Sequence, residues 1–184
     1  MKRFLFGLIA LILAGCAAQQ GKVQAVDSSM PKPAALPDLG PAPELTNETW
    51  LNVAAPLHIA DLRGKVVIVE MWTLGCINCQ HVIPSLKDWH SKYKDQGLVI
   101  IGNHYPEFSY EADLNNLKDA IARYGIQYAV AQDNDGATWR AYQNQYWPTL
   151  YLIDKQGHIR YVHIGEGNYK ETEDNIKALL EEKF

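Results

Sequence analysis

The stretch Val66-Val67-Ile68-Val69-Glu70-Met71-Trp72-Thr73-Leu74-Gly75-Cys76-Ile77-Asn78-Cys79 decides how the chain reads. Apart from Glu70, its first seven residues are β-branched or large and apolar, the pattern of a strand buried on both faces of a parallel or mixed sheet. From Asn78 to Gln96 apolar residues return at steps of three and four (Val82, Ile83, Leu86, Trp89, Tyr93), which predicts a helix. Pro84 falls inside it, where a kink or the end of the first turn is expected. Gly97 is expected to close it. The Cys-x-x-Cys pair therefore stands between a buried strand and the start of a helix.

That position suits sulfur chemistry. A helix N-terminus offers unpaired N–H groups and roughly half a positive charge, both of which favour a thiolate. Cys76 is expected to have a lowered pKa and to attack, and Cys79, one turn deeper, to resolve the mixed disulfide. Other readings are a zinc site recruiting His81 and His90, a purely structural disulfide, and peroxide reduction at Cys76. Thr73 lies three before Cys76 as in the peroxiredoxin pattern, but Val69 occupies the place of its proline. Covalent c-type haem needs Cys-x-x-Cys-His, and Gln80 follows Cys79 here. Four-residue loops make poor staples, since the constraint gained grows with loop length, so thiol–disulfide exchange is favoured. No metal and no cofactor is expected.

Outward from this stretch, Leu98–Gly102 predicts a second buried strand, 110–124 a helix stopped by Gly125, and 128–131 a short strand. Asp133-Asn134-Asp135-Gly136 reads as a turn into a short helix through Trp139 and Tyr142. Thr149–Ile153 and Ile159–Ile164 form a hairpin around Asp154-Lys155-Gln156-Gly157, and a helix runs from about Tyr169 to Glu182. The order β-α-β-α-β-α-β-β-α predicts an α/β thioredoxin-like fold, a central mixed sheet flanked by helices with an inserted helix–strand unit. Glu70, six before Cys76 in a buried strand, is expected beneath the cysteine pair with a raised pKa, ready to take the proton of Cys79. Trp147-Pro148-Thr149 precedes a strand and fits the cis-proline loop that faces the disulfide in such a fold. Trp72, Ile77, Asn78, Trp147 and His104 are candidates for lining a substrate groove.

The chain has 184 residues, 47% of them hydrophobic and 21% charged, with a net charge of −4. No basic field exists to hold nucleic acid. Three cysteines are too few for an all-cysteine zinc site, and the odd count leaves Cys16 to place. Met1-Lys2-Arg3 and the apolar run Phe4–Ala14 form a secretory signal too short to span a bilayer. Leu13-Ala14-Gly15-Cys16 resembles a bacterial lipobox, in which the cysteine receives lipid and becomes the new N-terminus. Losing Lys2 and Arg3 with the signal takes the charge from −4 to −6. Pro31, Pro33, Pro37, Pro41 and Pro43 mark a semi-extended tether. The expected division is a signal peptide over 1–15, a lipidated Cys16 and tether over 16–46, and the redox domain over 47–184. Ala17, rather than aspartate, after Cys16 favours the outer membrane if the source has two.

Several blocks carry a family resemblance: Trp50-Leu51-Asn52, Leu62-Arg63-Gly64-Lys65, Cys76-Ile77-Asn78-Cys79, His104-Tyr105-Pro106-Glu107-Phe108, Asn144-Gln145-Tyr146-Trp147-Pro148-Thr149 and Gly165-Glu166-Gly167-Asn168-Tyr169. The segment 47–184 resembles the TlpA/ResA-like branch of thioredoxin-fold proteins, and more closely the redoxin domain of DipZ-type proteins. The resemblance implies Cys76 as nucleophile, Cys79 as resolving thiol, Cys76–Cys79 as the redox-active disulfide, Pro148 as the cis-proline and Glu70 as the buried acid. Glu70 stands where much of the family has aspartate. His104, Glu107 and Glu166 are family-like with no role assigned. DipZ-type proteins also carry a membrane electron-transfer domain and a further C-terminal domain. A lone module implies a separate membrane thiol reductase, CcdA/DsbD-like, as electron donor and exported protein disulfides, such as those of apocytochromes c, as substrates.

Overall fold

The computed structural model describes residues 36–184. Its strands are β1 (Thr49–Leu51), β2 (Val66–Trp72), β3 (Leu98–His104), β4 (Ala129–Gln132), β5 (Thr149–Ile153) and β6 (Ile159–Ile164); its helices are α1 (Ile77–Tyr93), α2 (Leu114–Tyr124), α3 (Ala137–Ala141) and α4 (Tyr169–Glu181). One sheet runs in the order β1-β4-β3-β2-β5-β6. β2 pairs parallel with β3 and antiparallel with β5, so the mixed thioredoxin-like sheet expected from the element order is present.

Every residue of β2 is buried, because the strand lies at the centre of the sheet with both faces covered. The pleat sends Val66, Ile68, Glu70 and Trp72 to one face and Val67, Val69 and Met71 to the other. The first face packs Val82, Ile83 and Leu86 of α1, Leu117 of α2, and Ile176 and Leu179 of α4. The second packs Leu45, Ile59, Tyr142 and Tyr151. α1 runs unbroken through Pro84, which gives up one backbone bond on an exposed position, and a 3-10 turn then ends at Gly97 with φ 104°.

Three expectations are corrected. The helix expected from residue 110 begins at Leu114, because the Asp113 carboxylate accepts from Asn115 N and Asn116 N and fixes the first turn there. Ser109–Ala112 is a separate 3-10 turn. β1, absent from the predicted order, adds an antiparallel edge to β4. Finally, residues 36–46 pack on the domain rather than forming part of a free tether. Leu39 N donates to Ile159 O at 2.8 Å, Ala42 N to Gly157 O at 2.9 Å, and Leu45 is 1% exposed. Between the prolines, the N–H groups of Leu39 and Ala42 remain free to bond the start of β6 at Ile159 and the turn before it at Gly157.

Candidate active site

α1 starts where β2 ends, and Cys76 is its N-cap residue (φ −76°, ψ 115°), with Sγ accepting from Cys79 N at 3.2 Å. Sulfur thus takes the place usually filled by a capping oxygen, against the unpaired N–H groups of the first turn. Cys76 and Cys79 form a disulfide with Cα atoms 5.3 Å apart. The two differ in access. Cys76 is half-buried at the rim, whereas Cys79 is 0% exposed and packs in the α1 face of the core.

Glu70 is 0% exposed on the same sheet face as Cys79. Tyr128 Oη donates to its Oε2 at 3.3 Å, and its Oε1 has no partner. Burial pushes the carboxyl up to about 8, with the Tyr128 bond opposing the rise. Gly102, the β3 neighbour of Glu70, makes this contact possible: a Cβ there would lie 2.9 Å from Trp72 Nε1 and 3.4 Å from the Tyr128 ring.

The loop leading to Cys76 is held by a residue that sequence reasoning missed. Glu111 is 0% exposed and accepts from Thr73 Oγ1 at 2.7 Å, Gly75 N at 2.9 Å, Glu107 N at 2.6 Å and Phe108 N at 3.1 Å. Burial alone would raise its pKa; these bonds outweigh burial and hold the carboxylate below its ordinary range. Reading 110–124 as one helix hid it. Asp113 as an N-cap would have placed Glu111 outside the helix and free to turn inward.

Trp72 and His104 do not line a groove. They end the parallel strands β2 and β3 in register, both are 0% exposed, and their rings meet edge to face at 5.2 Å. His104 Nε2 accepts from Leu74 N at 3.3 Å, so the ring buttresses the cysteine loop from beneath. Burial pushes its pKa down to about 4, against the pull of Glu111, so it is neutral near pH 7. Glu166 receives a place as well: its carboxylate lies 2.6 Å from His81 Nδ1.

Above the loop a groove of about 510 Å³ is lined by Cys76, Ile77, Asn78, Glu107, Tyr146 and Trp147, among others. Ile77, Asn78 and Trp147 line this groove together with Cys76. The Trp147–Pro148 peptide is cis, and Pro148 O accepts from Gly165 N at 2.8 Å. Cys16 lies outside the described residues.

The half-exposed capping sulfur and its buried partner can pass between dithiol and disulfide, a two-electron couple, with the buried Glu70 carboxyl on the same sheet face. A model of the AhpC/TSA family matches residues 40–162. The chain belongs to that family. Within it, the chain is 45% identical over 150 residues to the protein DipZ of Mycobacterium tuberculosis (strain CDC 1551 / Oshkosh), a match covering 80% of this chain and 22% of DipZ. It therefore spans about a fifth of the DipZ length. It is 31% identical over 144 residues to the thiol-disulfide oxidoreductase YkuV of Bacillus subtilis (strain 168), covering 77% of this chain and 95% of YkuV. The crystal structure of a thioredoxin-like superfamily protein superposes with a TM-score of 0.73 at 32% identity, covering 78% and 98% of the two chains. YkuV, which the match covers almost end to end, carries the name of a thiol-disulfide oxidoreductase.

Proposed function

We propose that the protein is an extracytoplasmic, lipid-anchored thiol:disulfide oxidoreductase that reduces disulfides in exported proteins, apocytochromes c among them. The reduced Cys76 thiolate attacks one sulfur of the substrate disulfide, forming a mixed disulfide and releasing one substrate thiolate. Glu70 takes the proton of Cys79. The Cys79 thiolate then attacks Cys76 Sγ, releasing the second substrate thiolate and closing Cys76–Cys79. Two electrons pass to the substrate, and a separate membrane thiol reductase of the CcdA/DsbD kind returns two. The observation that carries this reading is the unequal access of the two sulfurs, with Cys76 at the groove and Cys79 buried. The buried Glu70 with its raised pKa supports the proton step. The export signal and lipobox around Cys16 support anchoring.

Trapping tests this assignment. Cys79→Ser, expressed in the full chain, is expected to hold exported proteins in mixed disulfides through Cys76, and Cys76→Ser to hold none. Cys16→Ser is expected to release the protein from the membrane fraction. Rapid peroxide-dependent oxidation, with no insulin-disulfide reduction, would favour a thiol peroxidase. Against that outcome, the Thr73 hydroxyl proton is committed to Glu111. A disulfide resistant to reduction, with no reactive Cys76, would leave only a binding lipoprotein.

A further inference from the structure

Four of the large apolar side chains exposed among the described residues gather around the disulfide. Ile77 is 59% exposed, Phe108 56%, Tyr110 51% and Tyr146 54%. Ile77 at the start of α1 and Tyr146 line the groove, and Phe108 and Tyr110 stack on each other (centroids 6.2 Å apart) beside its lining residue Glu107 in the chain. Solvent-facing residues of this size so close together mark a contact surface rather than scatter. The wall they continue is a packed aromatic cluster. Trp147 stacks on Tyr105 (centroids 5.8 Å apart, planes at 13°) and packs at a tilt on Trp139 (4.5 Å, 35°). Gly136 makes room for this stack, since a Cβ there would lie 2.9 Å from the Tyr105 ring. A preformed aromatic wall loses little freedom when it is covered.

One charge stands in the groove. Glu107 is the only acidic or basic side chain lining it, it is exposed, and it takes part in none of the ion pairs among the described residues. Its buried neighbour Glu111 is saturated by donors from the protein itself.

From these placements we infer that the groove selects polypeptide disulfides flanked by a large apolar side chain and a lysine or arginine. The apolar side chain covers Trp147, Tyr146 and Ile77, and the cation reaches the Glu107 carboxylate. The occupant is an extended segment of another protein, and the inference rests on the thiol–disulfide exchange reading.

The test uses the reduced full chain and short peptides with one disulfide, flanked by Phe and Lys, by Phe and Glu, or by Gly and Lys. Rates are divided by those with dithiothreitol, which removes the intrinsic reactivity of each disulfide. The Phe/Lys peptide is expected to react about two- to five-fold faster than Phe/Glu at low salt, the range of an exposed ion pair, with the ratio falling toward one in high salt. Glu107→Gln is expected to erase that ratio while keeping the preference for Phe/Lys over Gly/Lys. Tyr146→Ala is expected to weaken the Phe preference and keep the charge ratio. Equal rates for all three peptides, or a ratio unchanged in Glu107→Gln, would overturn the inference with exchange chemistry intact. No reduction of any peptide, nor of insulin, would overturn the exchange reading itself.

Discussion

Tyr128 Oη donates to Glu70 Oε2 at 3.3 Å, and this is the single hydrogen bond that either oxygen of the carboxyl receives among the described residues. The bond favours the charged carboxylate and opposes the burial that pushes Glu70 up to about 8. Tyr128→Phe removes the opposition and leaves the burial. The Glu70 pKa is therefore expected to move further up, read by carboxyl infrared or carbon NMR titration. The pH profile of the Cys79-dependent step is expected to move up with it. Against a Glu70→Gln background the same Tyr128 change should move neither.

Glu70 also sets a pH dependence of stability. Its folded value of about 8 exceeds the ordinary 4.5, so between those values the folded protein keeps a proton that the unfolded chain has released. The stabilising effect of this group is complete below about pH 4.5 and is lost as pH rises through 8, at roughly 1.4 kcal/mol per pH unit within the window. Glu70→Gln is expected to flatten the fall in stability between pH 5 and pH 8, measured by urea unfolding of the oxidised protein. It is also expected to slow closure of the Cys76–Cys79 disulfide.

Glu111 holds the cysteine loop through Thr73, Gly75 and the 107–108 backbone. Glu111→Ala leaves these donors unpaired and is expected to cost on the order of 2–4 kcal/mol in urea unfolding. Glu111→Gln keeps one acceptor and should cost less. Because the folded carboxylate lies below its ordinary range, its contribution is present above that range and is lost as the pH falls through the folded value. Both variants are expected to change the alkylation rate of Cys76 more than a distant surface substitution does.

The fold was legible because its decisive elements are long and periodic. The unbroken apolar run of β2 and the three- and four-step spacing of α1 left little choice, and they placed Cys76 and Cys79 at a helix start. Elements governed by few residues were hidden. β1 has three half-buried residues, too few to show a period. The 36–46 segment reads as a proline-rich tether, because its attachment depends on backbone bonds to β6 that composition does not encode. Trp72 reads as a groove residue from its place just before the Cys-x-x-Cys turn, and His104 from its place at a strand end. The pleat turns both toward the core instead. Glu111 escaped because a buried carboxylate saturated by backbone donors looks, in sequence, like any charged residue of a helix.

The central claim is a division of labour between a reachable Cys76 and a sheltered Cys79. Limiting alkylation of the fully reduced protein tests it directly: less than one equivalent of iodoacetamide, from pH 5 to 9, followed by peptide mapping. The label is expected almost wholly on Cys76, with a half-maximal rate below the ordinary free-thiol value of about 8.5. Label on Cys79, label shared equally, or a half-maximal rate at or above that value would contradict it.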